Sequence, residues 1–251
     1  MNNYIMKKIN IYGTEIQLLE AIRDFLISNT VMRFSLIEEN FTDTSDKKNS
    51  IKLENDDYIL EVYGESTTNT STSNGISWYL FKNNEDKTPL FTFTTNSAST
   101  SVTRIASTPR IINIFILKGD NLEFINVGSY SSTYGKNNSP YYMRMSTSDV
   151  GLVYCINTSS STPEVIDYET RTLCYELCPY HELAASDDTL ILDSELPLCM
   201  TTYTKYYSGI VNDCFGLGGG IVRTFYKDSN GTPLYCFANN CCFKLENKVE
   251  I

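Results

Sequence analysis

The chain is predicted to be mainly β, with antiparallel sheet regions of sandwich or barrel type and one N-terminal α-helix. Three observations predict this. Apolar spacing is clearly helical only once, over residues 15–28, and alternates with period two along much of the remainder. Eighteen Tyr and twelve Phe suit pleated, half-buried surfaces. Turn-forming stretches such as Lys118-Gly119-Asp120 and Asp228-Ser229-Asn230-Gly231 separate the alternating runs.

The helix is signalled at its start. Thr14 and Gln17 have the spacing of a capping box, in which the hydroxyl accepts from a backbone N–H and the amide reaches back. Ile16, Leu19, Ile22 and Leu26 recur at helical spacing, and Leu18 and Phe25 widen the stripe. Glu15, Glu20, Arg23 and Asp24 are expected on the wet side, and Asn29 is expected to stop the helix.

Strands are expected over Val31–Ile37, Asp57–Tyr63, Ile76–Lys82, Pro89–Thr94, Arg110–Leu117 and Asn121–Val127. Arg110–Leu117 is apolar on both faces, which predicts a central strand. Two polar tracts interrupt the series. Ser66–Gly75 is almost all Ser, Thr and Asn, and Thr92–Thr108 holds ten Ser or Thr in seventeen residues. Such tracts suit exposed loops or long solvated strands, and either can pair with a neighbouring subunit.

Ser129–Pro140 is rich in Ser and Asn and ends in proline, so it is the expected boundary. It divides residues 1–128, a helix plus β domain, from residues 141–251, a Cys-rich β domain, with 129–140 as linker. Strand signals then resume at Tyr141–Thr147, Gly151–Asn157, Arg171–Leu177, Thr189–Asp193, Cys199–Tyr207, Gly220–Lys227, Pro233–Ala238 and Cys241–Glu246. All eight cysteines fall between Cys155 and Cys242.

The net charge of −10 is uneven: residues 1–154 carry 14 Lys/Arg against 17 Asp/Glu, and residues 155–251 carry 6 against 13. No basic run exceeds two residues, which argues against nucleic-acid binding and against attraction to anionic lipid. Lys7-Lys8 is followed by no apolar h-region, so no secretory signal peptide is expected, and synthesis in a cytoplasm is. The longest aliphatic stretch, Ile111–Leu117, is too short for membrane insertion. In a cytoplasm cysteines are usually thiols or metal ligands.

Cys174, Cys178, His181 and Cys199 are the candidate zinc ligands, because tetrahedral zinc takes four N/S donors held by short loops. The paired-CxxC spacing is missing, and buried, inert thiols are the favoured reading, with Cys155, Cys174 and Cys236 alternating with large apolar residues. His181 is the only histidine, and its nearness in sequence to Cys178 is weak ground for a Cys–His hydrolase. Gly216–Gly220 lacks the Lys-Ser/Thr of a phosphate loop. Asp56-Asp57, Asp187-Asp188 and Asp228-x-Asn230-Gly231 are read as turns rather than calcium or glycosidase carboxylates. No catalytic residue, cofactor or metal is therefore assigned. Trp78-Tyr79-Leu80-Phe81, Tyr141-Tyr142 and Tyr203 with Tyr206-Tyr207 suit a core, a protein interface or a sugar platform.

Richness in Asn, Thr, Ser and Tyr, the short capped helix, the Ser/Thr tracts and the terminal hairpins from Gly220 to Glu246 are together similar in style to structural proteins of tailed bacteriophages and phage-tail-like particles. That resemblance implies a non-catalytic tail, baseplate or head-decoration protein located in the virion. Its partners would be further copies of itself and other particle proteins. The alternative is an adhesin-type module that binds a carbohydrate or receptor, such as a host-surface glycan, and a hydrolase ranks third.

Overall fold

The computed structural model describes residues 2–11, 14–41, 49–64, 73–83, 89–98, 110–129, 141–147, 151–157, 164–166, 173–179, 196–201, 207–216, 224–227, 230–238 and 241–250. They are mostly β-strand with a single α-helix, and the sheets are predominantly antiparallel, as the alternation predicts. No helix among them is long and apolar enough to cross a membrane. The chain divides into two compact units. One comprises Ile5–Phe115, Asn126–Gly135 and Glu250–Ile251; the other comprises Met1–Tyr4, Ile116–Ile125 and Lys136–Val249. Apart from Ser129, the expected boundary Ser129–Pro140 lies outside the described residues.

In the first unit, strand β1 (Asn3–Ile11) leads to helix α1 (Glu15–Ser28), though residues 3 and 4 of β1 belong to the other unit. Both halves of the capping box are made. Thr14 Oγ1 accepts from Gln17 N at 3.3 Å, and Gln17 Oε1 accepts from Thr14 N at 2.9 Å. Thr14→Ala is expected to cost about 1 kcal/mol of stability, read by urea denaturation. No loss would show that the box is idle in solution.

Asn29 ends the helix as expected. Its N–H donates to Phe25 O at 3.1 Å, and its Oδ1 accepts from Val31 N and Met32 N at 3.2 and 3.0 Å. Those side-chain bonds hold residues 31–32 in a turn, so the first strand expected after the helix, Val31–Ile37, begins later, as β2 (Ser35–Asn40). The buried stripe is Glu15, Leu18, Leu19, Ile22, Phe25 and Leu26. It is rotated from the expected one: Ile16 is only half-buried, and Glu15, expected to be wet, is fully buried. Positions 15, 18, 22 and 25 line one helical face, and residue 16 turns about 100° away from residue 15.

The helix packs on a five-stranded antiparallel meander. Its order is β2, β3 (Ser50–Glu54), β4 (Tyr58–Gly64), β5 (Ser73–Lys82) and β6 (Phe91–Ala98). Ile51, Leu53, Leu60, Val62, Trp78 and Leu80 are buried on one face, in cross-strand register Leu53↔Leu60↔Leu80 and Ile51↔Val62↔Trp78. β1 and β3 were not among the expected strands; β3 alternates strictly, with Ile51 and Leu53 buried, but over only five residues.

The remaining strands are β7 (Arg110–Lys118), β8 (Leu122–Ser129), β9 (Tyr141–Thr147), β10 (Gly151–Asn157), β11 (Glu164–Ile166), β12 (Leu173–Pro179), β13 (Leu196–Thr201), β14 (Tyr207–Gly216), β15 (Thr224–Lys227), β16 (Pro233–Ala238), β17 (Cys241–Lys244) and β18 (Asn247–Lys248). Their hydrogen-bonded order is β15-β16-β17-β14-β13-β12-β11-β10-β9-β8-β7-β1-β18. β7 is interior to that order, as predicted, with Ile114, Phe115, Ile116 and Leu117 all buried. The Asn-Gly hairpin joins β15 to β16, with Gly231 at φ +83°. In the second unit, Phe124, Tyr235, Phe237 and Phe243 form an aromatic core, with Phe124 and Phe243 5.1 Å apart. β18 lies parallel to the first residues of β1, and Asn2 N donates to Glu246 Oε2 at 2.8 Å, tying the two ends of the chain together.

Candidate functional site: a sheet edge

Among the described residues, four strands end a sheet: β2, β6, β15 and β18. An edge strand presents unpaired N–H and C=O groups, and proteins blunt it with charge, bulges or brevity. β2 carries Glu38 and Glu39 and breaks register between Leu36 and Glu38. Glu39 also binds the helix, accepting from Arg23 Nη1 at 2.5 Å. β15 has four residues and ends in Lys227, and β18 has two, one of them Lys248.

β6 has none of these devices. Its sequence, Phe-Thr-Phe-Thr-Thr-Asn-Ser-Ala, is uncharged over eight residues and lacks Pro and Gly. It runs in unbroken register with β5 from Ser73↔Ala98 to Leu80↔Phe91. The edge lay within the Ser/Thr-rich stretch Thr92–Thr108. Composition allowed loop or strand there, and the expected strand Pro89–Thr94 extends to Ala98 because β5 continues to Ser73 to receive it.

The face of this sheet opposite α1 carries a charged and aromatic row. Lys52, Glu61 and Tyr79 are successive cross-strand partners. Lys52 Nζ lies 2.9 Å from Glu61 Oε1, and Tyr63 Oη donates to Glu61 Oε2 at 2.8 Å. Tyr63 and Tyr79 meet edge to face, centroids 5.6 Å apart. Burial, then the hydrogen bond to Glu61, pushes the Tyr63 phenol up to about 12, so it remains a donor throughout the neutral range.

A second cluster lies in the other unit. Cys214, Cys236, Cys241 and Cys242 are buried, reduced thiols on β14, β16 and β17. Cys242 stands opposite Cys236 on one side and Phe215 on the other, and with Leu234 they form a packed cluster against Tyr226. The hydrogen bond between the Cys242 and Cys236 thiols, followed by burial, raises the Cys242 pKa far above the ordinary 9.0. The thiolate is the nucleophile and metal ligand, so this arrangement favours packing over chemistry.

Labelling with iodoacetamide under denaturing, non-reducing conditions is expected to count eight thiols, and the native protein at least four fewer. Rapid native labelling of Cys242 would contradict its burial. Because the raised pKa keeps a proton that the unfolded chain gives up, this thiol's contribution to stability is complete below about pH 9. It declines as the pH rises through that value.

The sequence-predicted residues are distributed as follows. β12 and β13 make Cys178 and Cys199 direct Cα partners, and Cys174 lies four residues earlier on β12. His181 falls outside the described residues, as do Asp187-Asp188, residues 217–220 and Asp228. Among the described residues, no group of three His, Cys, Asp or Glu is placed to hold a metal. Asp56-Asp57 form the turn from β3 to β4, organised by Asn55 Oδ1, which accepts from Asp57 N and Tyr58 N at 3.0 and 2.8 Å. No family model, curated protein or solved structure matches the chain.

Proposed function

We propose that this chain is a non-catalytic structural protein of a phage or phage-tail-like particle, built into a tail, baseplate or head by strand and surface contacts with copies of itself and other particle proteins. The observation that carries the reading is β6. An eight-residue edge with no charge, bulge, Pro or Gly is a liability for a protein that works alone and an asset for one that assembles. The Asn/Thr/Ser/Tyr-rich composition agrees with it.

The row Lys52–Glu61–Tyr63–Tyr79 favours a second reading, glycan or receptor binding, because aromatic rings beside hydrogen-bonding groups suit a sugar. Particles purified on a density gradient from producing cells separate the two. Under the first reading they contain this chain at a fixed ratio to the other particle proteins. A chain that is absent from particles, and whose binding to a glycan array is abolished by Tyr79→Ala, would replace assembly with recognition.

A further inference from the structure

We propose that β6 pairs antiparallel with β6 of a second copy of this chain, joining two five-stranded sheets across a twofold axis. The proposal rests on the assembly reading and names the partner.

Charge permits a self-pair at this edge. A strand added to β6 finds no side chain on β6 to pair with a charge of its own, so β6 gives no preference to a charged strand over an uncharged one. The chain carries a net charge of −10, so two copies repel, and repel least where the contact itself carries no charge. A β6 self-pair is such a contact. β2, with Glu38 and Glu39, would set carboxylates against carboxylates in a self-pair.

Register follows from the pleat. Directly opposed residues of an antiparallel pair share a sheet face. A twofold axis normal to the sheet therefore passes through a residue pair, never between two. Phe91, Phe93 and Thr95 are in register with Leu80, Trp78 and Ile76, all buried, so odd positions of β6 belong to the face that packs on the helix. Even positions belong to the other face. Centring the axis on Thr94 sets Thr94 against its own copy, Thr92 against Asn96 and Phe93 against Thr95. The apolar face of one sheet then continues into that of the next, and a β-branched Thr pair sits at the centre of the polar face.

Thr94→Lys and Thr94→Glu test this by analytical ultracentrifugation, with far-UV circular dichroism as the check on folding. The wild type is expected to be a dimer, each variant alone a monomer, and an equimolar mixture of the two a dimer again. Wild type that stays monomeric across the accessible concentration range overturns the proposal. Wild type that associates, with both variants associating equally well, also overturns β6 pairing. Neither result touches the assembly reading, which stands or falls on the presence of the chain in purified particles.

Should either variant fail to fold, amide hydrogen exchange of the wild type decides. Exchange over residues 91–98 that slows as protein concentration rises supports the pair. Exchange independent of concentration overturns it.

Discussion

Gly64→Ala is expected to destabilise the helix-bearing unit by about 2–4 kcal/mol, far more than a usual strand Gly→Ala change. A Cβ at Gly64 would overlap Glu15 Oε1 and Cδ and lie 2.8 Å from its Cγ. Glu15 cannot swing into water, because it is fully buried as the first residue of α1. Its Oε1 accepts from Asn49 Nδ2 at 3.0 Å, and Asn49 O in turn accepts from Gly64 N at 2.8 Å. The carboxylate occupies the space a side chain on β4 would fill, near a helix N-terminus that favours negative charge.

Pushing it aside breaks the Asn49 bond and strains the packing of helix on sheet. Urea denaturation of Gly64→Ala, Glu15→Ala and the double variant measures the coupling. The double variant should recover much of the stability lost by Gly64→Ala, since the clash goes with the carboxylate. A Gly64→Ala protein within about 0.5 kcal/mol of wild type would contradict the geometry.

Trp78→Ala is expected to cost about 3–5 kcal/mol, enough to unfold a marginal domain. Trp78 is fully buried at the centre of β5, with Val62 as its partner on β4. Its indole Nε1–H has no hydrogen-bond partner among the described residues. Trp78→Phe should therefore cost much less than the alanine change. The smaller ring leaves a cavity but also removes a buried donor left unsatisfied, and the two terms oppose each other. Calorimetry is the suitable measurement, since Trp78 is the only tryptophan and fluorescence disappears with it. Equal losses for the two variants would show that the indole nitrogen finds a partner.

Several features were legible from neighbouring residues alone. The helix runs from Glu15 to Ser28 because Thr14 and Gln17 begin it and Asn29 ends it, all within one turn of the positions they control. β7 was readable as interior because Arg110–Leu117 is apolar on both faces, and only a strand with neighbours on each side suits that pattern. The candidate edge was half legible. The low charge of the Ser/Thr tract could be read, whereas the position of β6 at the end of its sheet could not.

What the sequence determined by itself is therefore short-range: a mainly β chain, one capped helix, the Asn230-Gly231 turn and cysteines alternating with apolar residues. These depend on contacts within a few residues, where side-chain type and spacing settle the conformation. The tertiary structure alone decided which strand meets which. It carries Asn2 to Glu246, 244 positions away, and lays Glu15 over Gly64. It also leaves β6 without a neighbour among the described residues. A period of two fixes which faces of a strand are wet and dry but is the same for every strand, so it cannot name a partner. That choice comes from packing across the whole core, and it separates a buried glutamate from an exposed one and an interior strand from an edge strand.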